Sequence, residues 1–566
     1  MNPKRLLQHF NEIAEAPDAV PRLRRFILEL AVRGKLVEQN PNDESAADLL
    51  KRIEANRTRL VEAEGIRNTK LIATTQADNA PFEIPKTWKW VHIEDIAYVE
   101  MGQSPSSEFY NQNHEGLPFF QGKADFGRIY PTPRYWCTAP TKLAEKGDIL
   151  ISVRAPVGPT NVATERCCIG RGLAALRPFQ GYERDFLLLG LKRSERDLEA
   201  LGAGTTFIAI NRKHLLTFLL PLPPLAEQHR IVEKVDELMA LCDELEAAQQ
   251  KRERRRERLV AATLNGLNNG DASSETHEPP AFEESARFYF NHLPRLTTRP
   301  EHIQQLRQTI LNLAVRGKLV PQDPSDEPAT KLLSRVEAEK AFLVKAGELR
   351  KQIPVPPINE EEIPFAVPAN WQWVRLIDVL TKLTDGTHHS PPNLNRGDFR
   401  YVTAKNIKPE AVSLDDITFV TAEVHHEIYS RCNPEKGDIL YIKDGATTGI
   451  VTVNNLDEPF SMLSSVALLK VPRAIYNLLL VFFLRSPFFY DQMRGFMKGA
   501  AITRVTLKRM APALIPIPPY SEQHRIVAKV EELMALCDEL EAKLNITLTT
   551  RRQFLEATLS EAIAPS

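Results

Sequence analysis

Basic and polar side chains are concentrated in two stretches of this chain, where they could contact phosphates and base edges. Eight Lys and Arg residues stand against three acidic residues between Arg128 and Arg177, and six stand against one between Arg485 and Arg509. Ser, Thr, Asn and aromatic residues accompany them, and Arg, Asn and Gln are common hydrogen-bonding partners of base edges. From these stretches alone, a nucleic-acid partner and a solvated charged surface are equal alternatives. The basic run at 251–258 is better explained as the solvated face of a helix.

The sequence does not indicate catalysis or metal binding. It has no G-x-x-x-x-G-K-[ST] motif and no glycine-rich fingerprint for a nucleotide or methyl-donor cofactor. His388 and His389 are adjacent and have no accompanying carboxylate or cysteine cluster, which favours a polar loop over a metal site. Cys167 and Cys168 are better explained as buried thiols in a strand than as reactive groups. We therefore expect no cofactor and no metal bound by this chain.

Length and charge set the scale of the protein. The 566 residues predict three to four domains, and the net charge of -1 means that any basic surface must be local. The six cysteines have no C-x-x-C spacing, as expected for reduced thiols. No signal-peptide pattern and no long apolar run are present, so we expect a cytoplasmic protein without membrane contact.

The helices and strands that position these residues occur twice. The octet LAVRGKLV at 30–37 returns unchanged at 313–320, an offset of 283, and the tryptophan pair at 88 and 90 returns at 371 and 373. Gly34 and Gly317 follow apolar helical patterns, which predicts that a helix ends at each glycine. The sequences that follow each tryptophan pair have diverged. Repetition of this kind suggests two modules of one α+β fold that recognise different things, and unconstrained drift is the alternative.

A 21-residue stretch at 227–247 also returns, at 522–542, with 19 identical positions. Its apolar residues alternate at spacings of four and three, which is a heptad seam that requires a partner helix. We expect each copy to be the partner of the other in an antiparallel coiled coil, with two amphipathic helices in separate cores as the alternative. The seam residues are Ile231, Val235, Leu238, Cys242 and Leu245 in the first copy and Ile526, Val530, Leu533, Cys537 and Leu540 in the second.

These repeats and the polar linkers predict seven segments. They are an N-terminal helical segment (1–80), a first module (81–222), a first coiled-coil helix (223–265), a linker (266–286), a central helical segment (287–352), a second module (353–517) and a second coiled-coil helix (518–560). The C-terminal residues 551–559 resemble 256–264, so that joining the two ends would regenerate the central block. The arrangement predicts a cyclic repeat with pseudo-twofold symmetry.

The chain resembles the specificity subunit of type I restriction-modification systems over nearly its whole length. The resemblance rests on the proline-rich E-Q-x-R-I-V runs at 221–232 and 516–527, the run at 317–328 with its variant from Gly34, the two K-G-D-I-L strands, and Asp385-Gly386-Thr387-His388. The first module has Met101-Gly102-Gln103-Ser104 where the second has the Asp-Gly-Thr-His form. In this order and twice over, these motifs are highly specific.

The resemblance implies two tandem α/β target recognition domains, joined by long helices that pair as an antiparallel coiled coil. Each domain would read one half of an asymmetric, bipartite site in double-stranded DNA. The helices would hold the half-site centres on the order of 34 Å apart and bind two modification subunits, together with restriction subunits where these exist. S-adenosylmethionine, ATP and Mg would be used by those partners and not by this chain.

The resemblance also directs the choice of candidate DNA-contacting residues, which we place in loops near the recognition segments of the family. The candidates in the first module are Ser104, Ser106, Tyr110, Gln121, Lys123, Arg128, Asn211, Arg212 and Lys213. Those in the second module are Thr387, His388, Lys405, Asn406, Lys443, Thr503, Arg504 and Lys508. For each candidate, the alternative to DNA contact is a structural role within its own loop.

Two other classes of function compete with the specificity subunit. One is a self-contained methyltransferase or nuclease with its own recognition domains, which the missing cofactor and metal motifs disfavour. The other is a coiled-coil scaffold that binds no nucleic acid, which sequence-specific footprinting would exclude.

Overall fold

The structure is a computed structural model that describes residues 16, 18–64, 80–202, 208–269, 281–349, 355–392, 394–494 and 504–563. The chain forms two compact units, one of residues 1–252 with 548–566 and the other of residues 253–547. Each unit contains one mixed α/β module and its own helical segments.

The first unit begins with two helices, α1 (Ala19–Val32) and α2 (Ala46–Glu64). Helix α1 ends as predicted, because Gly34 adopts a left-handed backbone conformation with φ of 64°. A Cβ atom at Gly34 would lie 3.0 Å from the Trp88 ring and would collide with Pro85. The glycine therefore ends the helix and lets the start of the first module pack against it.

The first module is built from short strands in three sheets. The strands are β1 (Lys89–His92), β2 (Ala97–Met101), β3 (Tyr110–Asn111), β4 (Leu117–Phe120), β5 (Tyr135–Cys137), β6 (Leu143–Ala144), β7 (Ile149–Ser152), β8 (Thr160–Val162), β9 (Cys167–Ile169), β10 (Leu173–Pro178) and β11 (Leu219–Leu222). The sheet orders are β2-β10-β7-β8, β3-β5-β4-β9-β6 and β1-β11. Among the described strands of this module, β4 and β9 pair in parallel and all other pairs are antiparallel. The helices are α3 (Ile93–Ile96), α4 (Arg184–Arg193), α5 (Glu195–Ala200) and α6 (Arg212–Leu216), and the long helix α7 (Leu225–Asn269) follows.

The second unit repeats the general order of these elements, with nine described strands instead of eleven and one additional helix, Ala422–Arg431, between its fourth and fifth strands. Its helices and strands are α8 (Ala281–Leu296), α9 (Pro300–Val315), α10 (Ala329–Lys345), β12 (Gln372–Arg375), β13 (Lys382–Asp385), β14 (Phe399–Val402), β15 (Thr418–Val420), α11 (Ala422–Arg431), β16 (Ile439–Ile442), β17 (Val451–Val453), β18 (Ser461–Met462), β19 (Val466–Lys470), α12 (Asn477–Arg485), α13 (Pro487–Arg494), α14 (Leu507–Met510), β20 (Leu514–Ile517) and α15 (Tyr520–Ile563). The sheet orders are β13-β19-β16-β17, β15-β14-β18 and β12-β20. Strands β14 and β18 form a parallel pair like β4 and β9. The two modules therefore share one fold although their sequences have diverged.

An inner strand of each module, β7 or β16, is fully buried and starts with an apolar run because both of its faces are covered. In β7, Ile149 and Ile151 belong to one core and Leu150 to another. In β16, Ile439 and Tyr441 likewise face one core, and Leu440 faces another. Successive side chains of a strand point to opposite faces, so a doubly covered strand requires an uninterrupted apolar run. The K-G-D-I-L motif supplies the start of that run in both modules.

Each long helix begins at a buried polar junction that contains its E-Q-x-R motif. In the second unit, Trp371 Nε1 donates to Glu522 Oε2 at 2.9 Å, and Gln322 Nε2 donates to Glu522 Oε1 at 2.6 Å. Gln523 accepts from Tyr476 N at 2.8 Å, and Arg525 pairs with Asp326 at 2.6 Å. The first unit repeats the junction with Trp88, Gln39, Glu227, Gln228, Glu183, Arg230 and Asp43. The motif thus fixes the start of the long helix to the module that precedes it.

Within each unit, the seam of the long helix is buried against a short helix. Ile231 and Val235 of α7 share a core with Ile27 of α1, and Arg24 of α1 pairs with Glu246 at 2.8 Å. Residues of α15 and α9 repeat this arrangement: Ile526, Val530 and Cys537 share a core with Ile303 and Leu306, and Arg307 pairs with Asp538 and Glu541. The heptad pattern predicted a partner helix for each seam, and the structure supplies one that we did not expect. A heptad pattern specifies an apolar face and does not identify the helix that covers it, so pairing of α7 with α15 stays a prediction.

The short helices also contact the far halves of the long helices. In the first unit, Leu555 and Leu559 of α15 share a core with Ala19 and Phe26 of α1, and Lys35 Nζ donates to Ile563 O at 2.8 Å. In the second unit, Val260, Leu264 and Leu267 of α7 share a core with residues of α9. Residues 548–563 therefore complete the first unit as residues 253–269 complete the second.

Two predicted boundaries differ from the observed helices. Helix α7 continues to Asn269 and α8 begins at Ala281, so that helices occupy both ends of the predicted linker at 266–286. The polar composition of this stretch suggested a break after residue 265, but Leu267 is buried in the same core as Leu264 and continues the apolar face of α7. Residues 270–280 lie outside the described part of the chain. In the part that is described, no helix combines the length and apolar character needed to cross a membrane.

Candidate nucleic-acid interface

Backbone hydrogen bonds bring several loops of the first module together along one edge. Gln103 N donates to Ile169 O at 3.0 Å, Gly170 N donates to Phe120 O at 2.8 Å, and Val153 N donates to Gly172 O at 2.9 Å. Ile210 N in turn donates to Val153 O at 2.9 Å. We call residues 103–106, 121–123, 153–154, 170–172 and 209–213 the first rim. Ser104, Ser106, Gln121, Lys123, Asn211, Arg212 and Lys213, all predicted as contacts, lie on it.

Most of these candidates are exposed, but some already have partners. Ser104 Oγ accepts from Arg171 N at 3.2 Å, and Asn211 Oδ1 caps α6 by accepting from His214 N at 3.0 Å. Tyr110 lies beside the rim, where its hydroxyl donates to Pro105 O at 2.8 Å and burial raises its pKa. Tyr110 therefore holds the loop that presents Ser104 and Ser106.

Arg128 has a partner on the long helix. Its guanidinium pairs with Asp243 of α7 and holds the pKa of that carboxyl below its ordinary value, although the Arg128 side chain is largely exposed. Arg24 of α1 pairs with the same carboxylate. Arg128 thus links the first module to α7 and does not lie on the first rim.

Two exposed arginines on the first rim were not among the candidates. Arg154 follows β7, and Arg171 lies between β9 and β10. Neither has an ion pair with another described residue, which leaves both guanidinium groups available to a ligand. Both belong to the basic stretch at 128–177, but only the fold shows which of its eight basic residues share an edge.

A buried carboxylate organises the loop that carries Gln121 and Lys123. Asp125 Oδ2 accepts from Gln121 N at 2.7 Å, and its Oδ1 accepts from Arg134 Nε at 2.7 Å. Asn406 has the same place in the second module, where its Oδ1 accepts from Thr403 N at 3.1 Å. Sequence reasoning missed Asp125 because a single acidic residue just before the basic stretch gave no sign that it was turned inward.

The second module brings equivalent loops together. Thr387 N donates to Met462 O at 2.9 Å, as Gln103 N does to Ile169 O, so the loops after β2 and β13 are equivalent. Ser464 N donates to Thr387 O at 2.8 Å, and Lys443 N donates to Ser465 O at 2.9 Å. We call residues 387–388, 403–406, 443–444, 463–465 and 504–508 the second rim. His388, Lys405, Arg504 and Lys508 are exposed on it, and Thr387 is half-buried.

Two candidates of the second module are buried in the structure. Asn406 is 0% exposed, and its Nδ2 donates to Ser413 O and Asp415 O, both at 3.3 Å. Lys443 is 1% exposed, and its Nζ lies 2.8 Å from Asp444 Oδ2. Both side chains hold the rim from within, because their polar atoms are used inside the module. A third candidate, Thr503, lies outside the described residues.

Backbone pairing allows the two rims to be compared residue by residue. Arg154 forms an isolated antiparallel bridge with Ala209, and Asp444 forms the equivalent bridge with Arg504. The first rim therefore has an arginine where the second has an aspartate, and an alanine where the second has an arginine. The same backbone presents different hydrogen-bonding groups in the two modules.

The described residues offer neither a metal site nor a reactive thiol. Among them, no three His, Cys, Asp or Glu side chains are grouped so that they could hold a metal ion. Burial raises the pKa of Cys167 to about 12 and that of Cys168 to about 11, as expected for thiols inside a strand.

Comparison with known proteins gives a consistent family. The model of the type I restriction modification DNA specificity domain matches residues 85–253 and 368–550. The specificity subunit of the type I restriction enzyme EcoAI of Escherichia coli is 32% identical over 563 residues, which cover 96% of this chain and 94% of that protein. The EcoEI specificity subunit of the same organism is 28% identical, with the same coverage of 96% and 94%.

Solved structures include a similar chain. The crystal structure of the HsdS subunit from Thermoanaerobacter tengcongensis is 45% identical over 36% of this chain and 47% of that chain, with a TM-score of 0.28. With the family model matching both modules and the EcoAI subunit matching nearly the full length, this chain belongs to the family of type I restriction-modification DNA specificity subunits.

Proposed function

We propose that this chain is the DNA-specificity subunit of a type I restriction-modification complex and has no catalytic activity of its own. Each module would bind one half of an asymmetric, bipartite sequence in double-stranded DNA. The observation that supports this function best is the presence of two modules with one fold and different rims. A shared fold presents its rim to DNA in the same way, whereas different side chains select different bases.

The charge of the rims agrees with this function. The chain as a whole has a net charge of -1, yet Lys123, Arg154, Arg171 and Arg212 are exposed on the first rim. Positive charge concentrated on this edge attracts phosphates there, and affinity would then fall as salt rises. Phosphate contacts position a protein on DNA, and the neighbouring polar side chains would determine which DNA sequence is bound.

The long helices provide a matching pair of surfaces for partner subunits. Leu241 is 52% exposed and Leu536 is 53% exposed, and they occupy the same position in the two copies of the 21-residue repeat. Each is followed three residues later by an exposed glutamate, Glu244 or Glu539. Two nearly identical surfaces would bind two copies of one partner, which we propose are modification subunits with a basic surface around an apolar pocket.

We further propose that α7 and α15 pair as an antiparallel coiled coil and space the two half-sites. Helix α7 has 45 residues and α15 has 44. At about 1.5 Å per residue, each helix extends over roughly 66 Å, which is ample for half-site centres about 34 Å apart. S-adenosylmethionine, ATP and Mg would be used by the modification and restriction subunits that bind this chain.

The function can be tested by co-expression of the chain with its modification subunit and genome-wide mapping of methylated bases. We expect methylation at one asymmetric, two-part motif. Exchange of residues 88–220 for those of another family member should change one half of the motif only. Methyl transfer by the purified chain alone would support the self-contained enzyme instead, and a well-formed complex that methylates no motif would overturn the proposal.

The partner surfaces can be tested by stoichiometry. Leu241→Glu or Leu536→Glu alone should give complexes with one modification subunit, and the double variant should give none, as measured by native mass spectrometry. Leu259→Glu is a matched control, because Leu259 is exposed on α7 outside the 21-residue repeat. Two modification subunits on the folded double variant would place the docking surface elsewhere.

A further inference from the structure

Four charged residues of the second module form a continuous series of contacts from its interior to the second rim. Lys443 Nζ lies 3.5 Å from Asp385 Oδ2 and 2.8 Å from Asp444 Oδ2. Asp444 Oδ1 lies 3.5 Å from Arg504 Nε, and 59% of the Arg504 side chain is exposed. The series thus runs from the buried Asp385 and Lys443 to an exposed guanidinium.

The interior end of the series is also held from the side. Arg431 of α11 donates through Nη2 to Asp385 O at 2.9 Å, and it lies 3.3 Å from Asp385 Oδ1. His388 Nε2 lies 3.4 Å from the same Oδ1. Asp385 therefore has cationic or polar partners on both oxygens, which restricts the position of Lys443.

The fold itself does not require this network. Equivalent backbone pairing places Met101 and Val153 of the first module where the second has Asp385 and Lys443. Burial of charges is costly, and apolar replacements of buried ion pairs are often equally stable or more stable. The first module shows that apolar residues serve at these positions, so a role beyond stability accounts better for the charged series.

We infer that Arg504 contacts a base in the DNA half-site of the second module, and that Asp444 and Lys443 are positioning residues for its guanidinium. This inference rests on the proposed function. The Asp444 carboxylate lies on the Nε side of the guanidinium, so an ion pair there leaves the terminal NH₂ groups for a ligand. Such a group can donate two hydrogen bonds to O6 and N7 of guanine, the commonest specific contact of arginine in the major groove.

The first module should read its half-site differently at this place. It has Ala209 at the position of Arg504 and Arg154 at the position of Asp444, so it lacks both the oriented arginine and its carboxylate partner. The two modules consequently give an internal comparison within one protein. Changes to the charged series should alter the second half-site and leave the first unchanged.

The test uses the full chain in complex with its modification subunit and selects bound sequences from a randomised DNA library. Arg504→Lys keeps the charge and removes the planar fork. It should lower discrimination at one base pair of the second half-site by about ten- to a hundredfold and leave affinity for non-specific DNA similar. Asp444→Asn should relax the same base pair, with non-specific affinity unchanged or higher because a negative charge is lost.

Asp457→Asn is the matched control. Asp457 pairs with Lys436 at 2.9 Å at the opposite end of β16, and 77% of its side chain is exposed. Its replacement should not change either half-site. Asp444 is partly buried, whereas Arg504 lies on the surface, so Arg504→Lys tests the inference even if Asp444→Asn fails to fold.

Three results are distinguishable. Unchanged discrimination by the Arg504→Lys complex would overturn the inference and leave the proposed function intact. A uniform loss of affinity for all sequences would make Arg504 a phosphate contact and would also overturn it. Failure of the unaltered complex to select any two-part sequence would instead refute the proposed function.

Discussion

The end of α9 offers a sharp test of how each module is attached to its helices. Gly317 has a φ of 69°, and a Cβ atom added to it would lie 2.6 Å from Pro368 Cγ and 3.2 Å from the Trp371 ring. Gly317→Ala should therefore incur two separate costs. The left-handed backbone costs about 1–2 kcal/mol for a residue with a Cβ atom, and forcing an extra methyl group into a packed site adds about 1–3 kcal/mol.

Gly347→Ala isolates the first of these costs. Gly347 lies in the same unit and has a φ of 74°, but no described atom lies within 4 Å of an added Cβ atom. We expect it to lower the free energy of unfolding by about 1–2 kcal/mol, whereas Gly317→Ala should lower it by about 2–5 kcal/mol. The difference between the two variants measures the steric cost alone.

The measurement is urea denaturation of the full chain at a fixed protein concentration, followed by tryptophan fluorescence. Trp371 of the second unit lies against the altered site and should report its unfolding. Hydrogen exchange of the second unit would confirm which part of the chain is affected. Equal destabilisation by the two alanine variants would refute the reasoning, because it would mean that Pro368 and Trp371 do not pack on Gly317 closely enough to resist a methyl group.

Three further predictions concern buried groups. Burial raises the pKa of Glu522, so the folded state binds the proton of this carboxyl more tightly than the unfolded chain does. The corresponding contribution to stability is full at low pH and is lost as pH rises through the raised pKa. Glu522→Gln should remove this pH dependence from denaturation curves, and an unchanged pH profile would contradict the prediction. Asn406→Ala should lower the melting temperature, because it leaves backbone groups of a buried loop without partners. Lys405→Ala should instead weaken DNA binding at an unchanged melting temperature. The reverse pattern would show that Asn406 is a contact residue. Because the pKa of Cys167 is raised to about 12, maleimide should label this thiol only after unfolding, and rapid labelling of the native protein would disprove its burial.

The repeated helices and strands could be predicted from the sequence because local rules determine them. Gly34 and Gly317 predicted helix ends, and both adopt the left-handed conformation that favours glycine. The K-G-D-I-L motifs predicted strands, which the structure places at Ile149–Ser152 and Ile439–Ile442. Turn chemistry and apolar runs act over a few residues, so a single sequence is sufficient to detect them.

The rims were harder to predict because the orientation of a loop side chain depends on tertiary contacts. Lys443 looked like a DNA contact, yet it lies in line with Ile439 and Tyr441 on the face of β16 that is turned towards a core. Strand periodicity could have revealed this if it had been extended by one residue past the apolar run. No comparable signal was available for Arg154 and Arg171, since their proximity arises from the pairing of distant strands.

The packing of residues 548–563 on α1 determines when the first unit can be completed during synthesis. Domains usually fold from the N-terminus as the ribosome produces them, at about 5–20 residues per second. Here, the apolar face of α1 that carries Ala19 and Phe26 must wait until all of the second unit, residues 253–547, has been made. That interval is about 15–60 s at the same rates. The unit that the ribosome makes first is therefore completed last, and residues 548–563 cannot cover this apolar face of α1 until the end of synthesis.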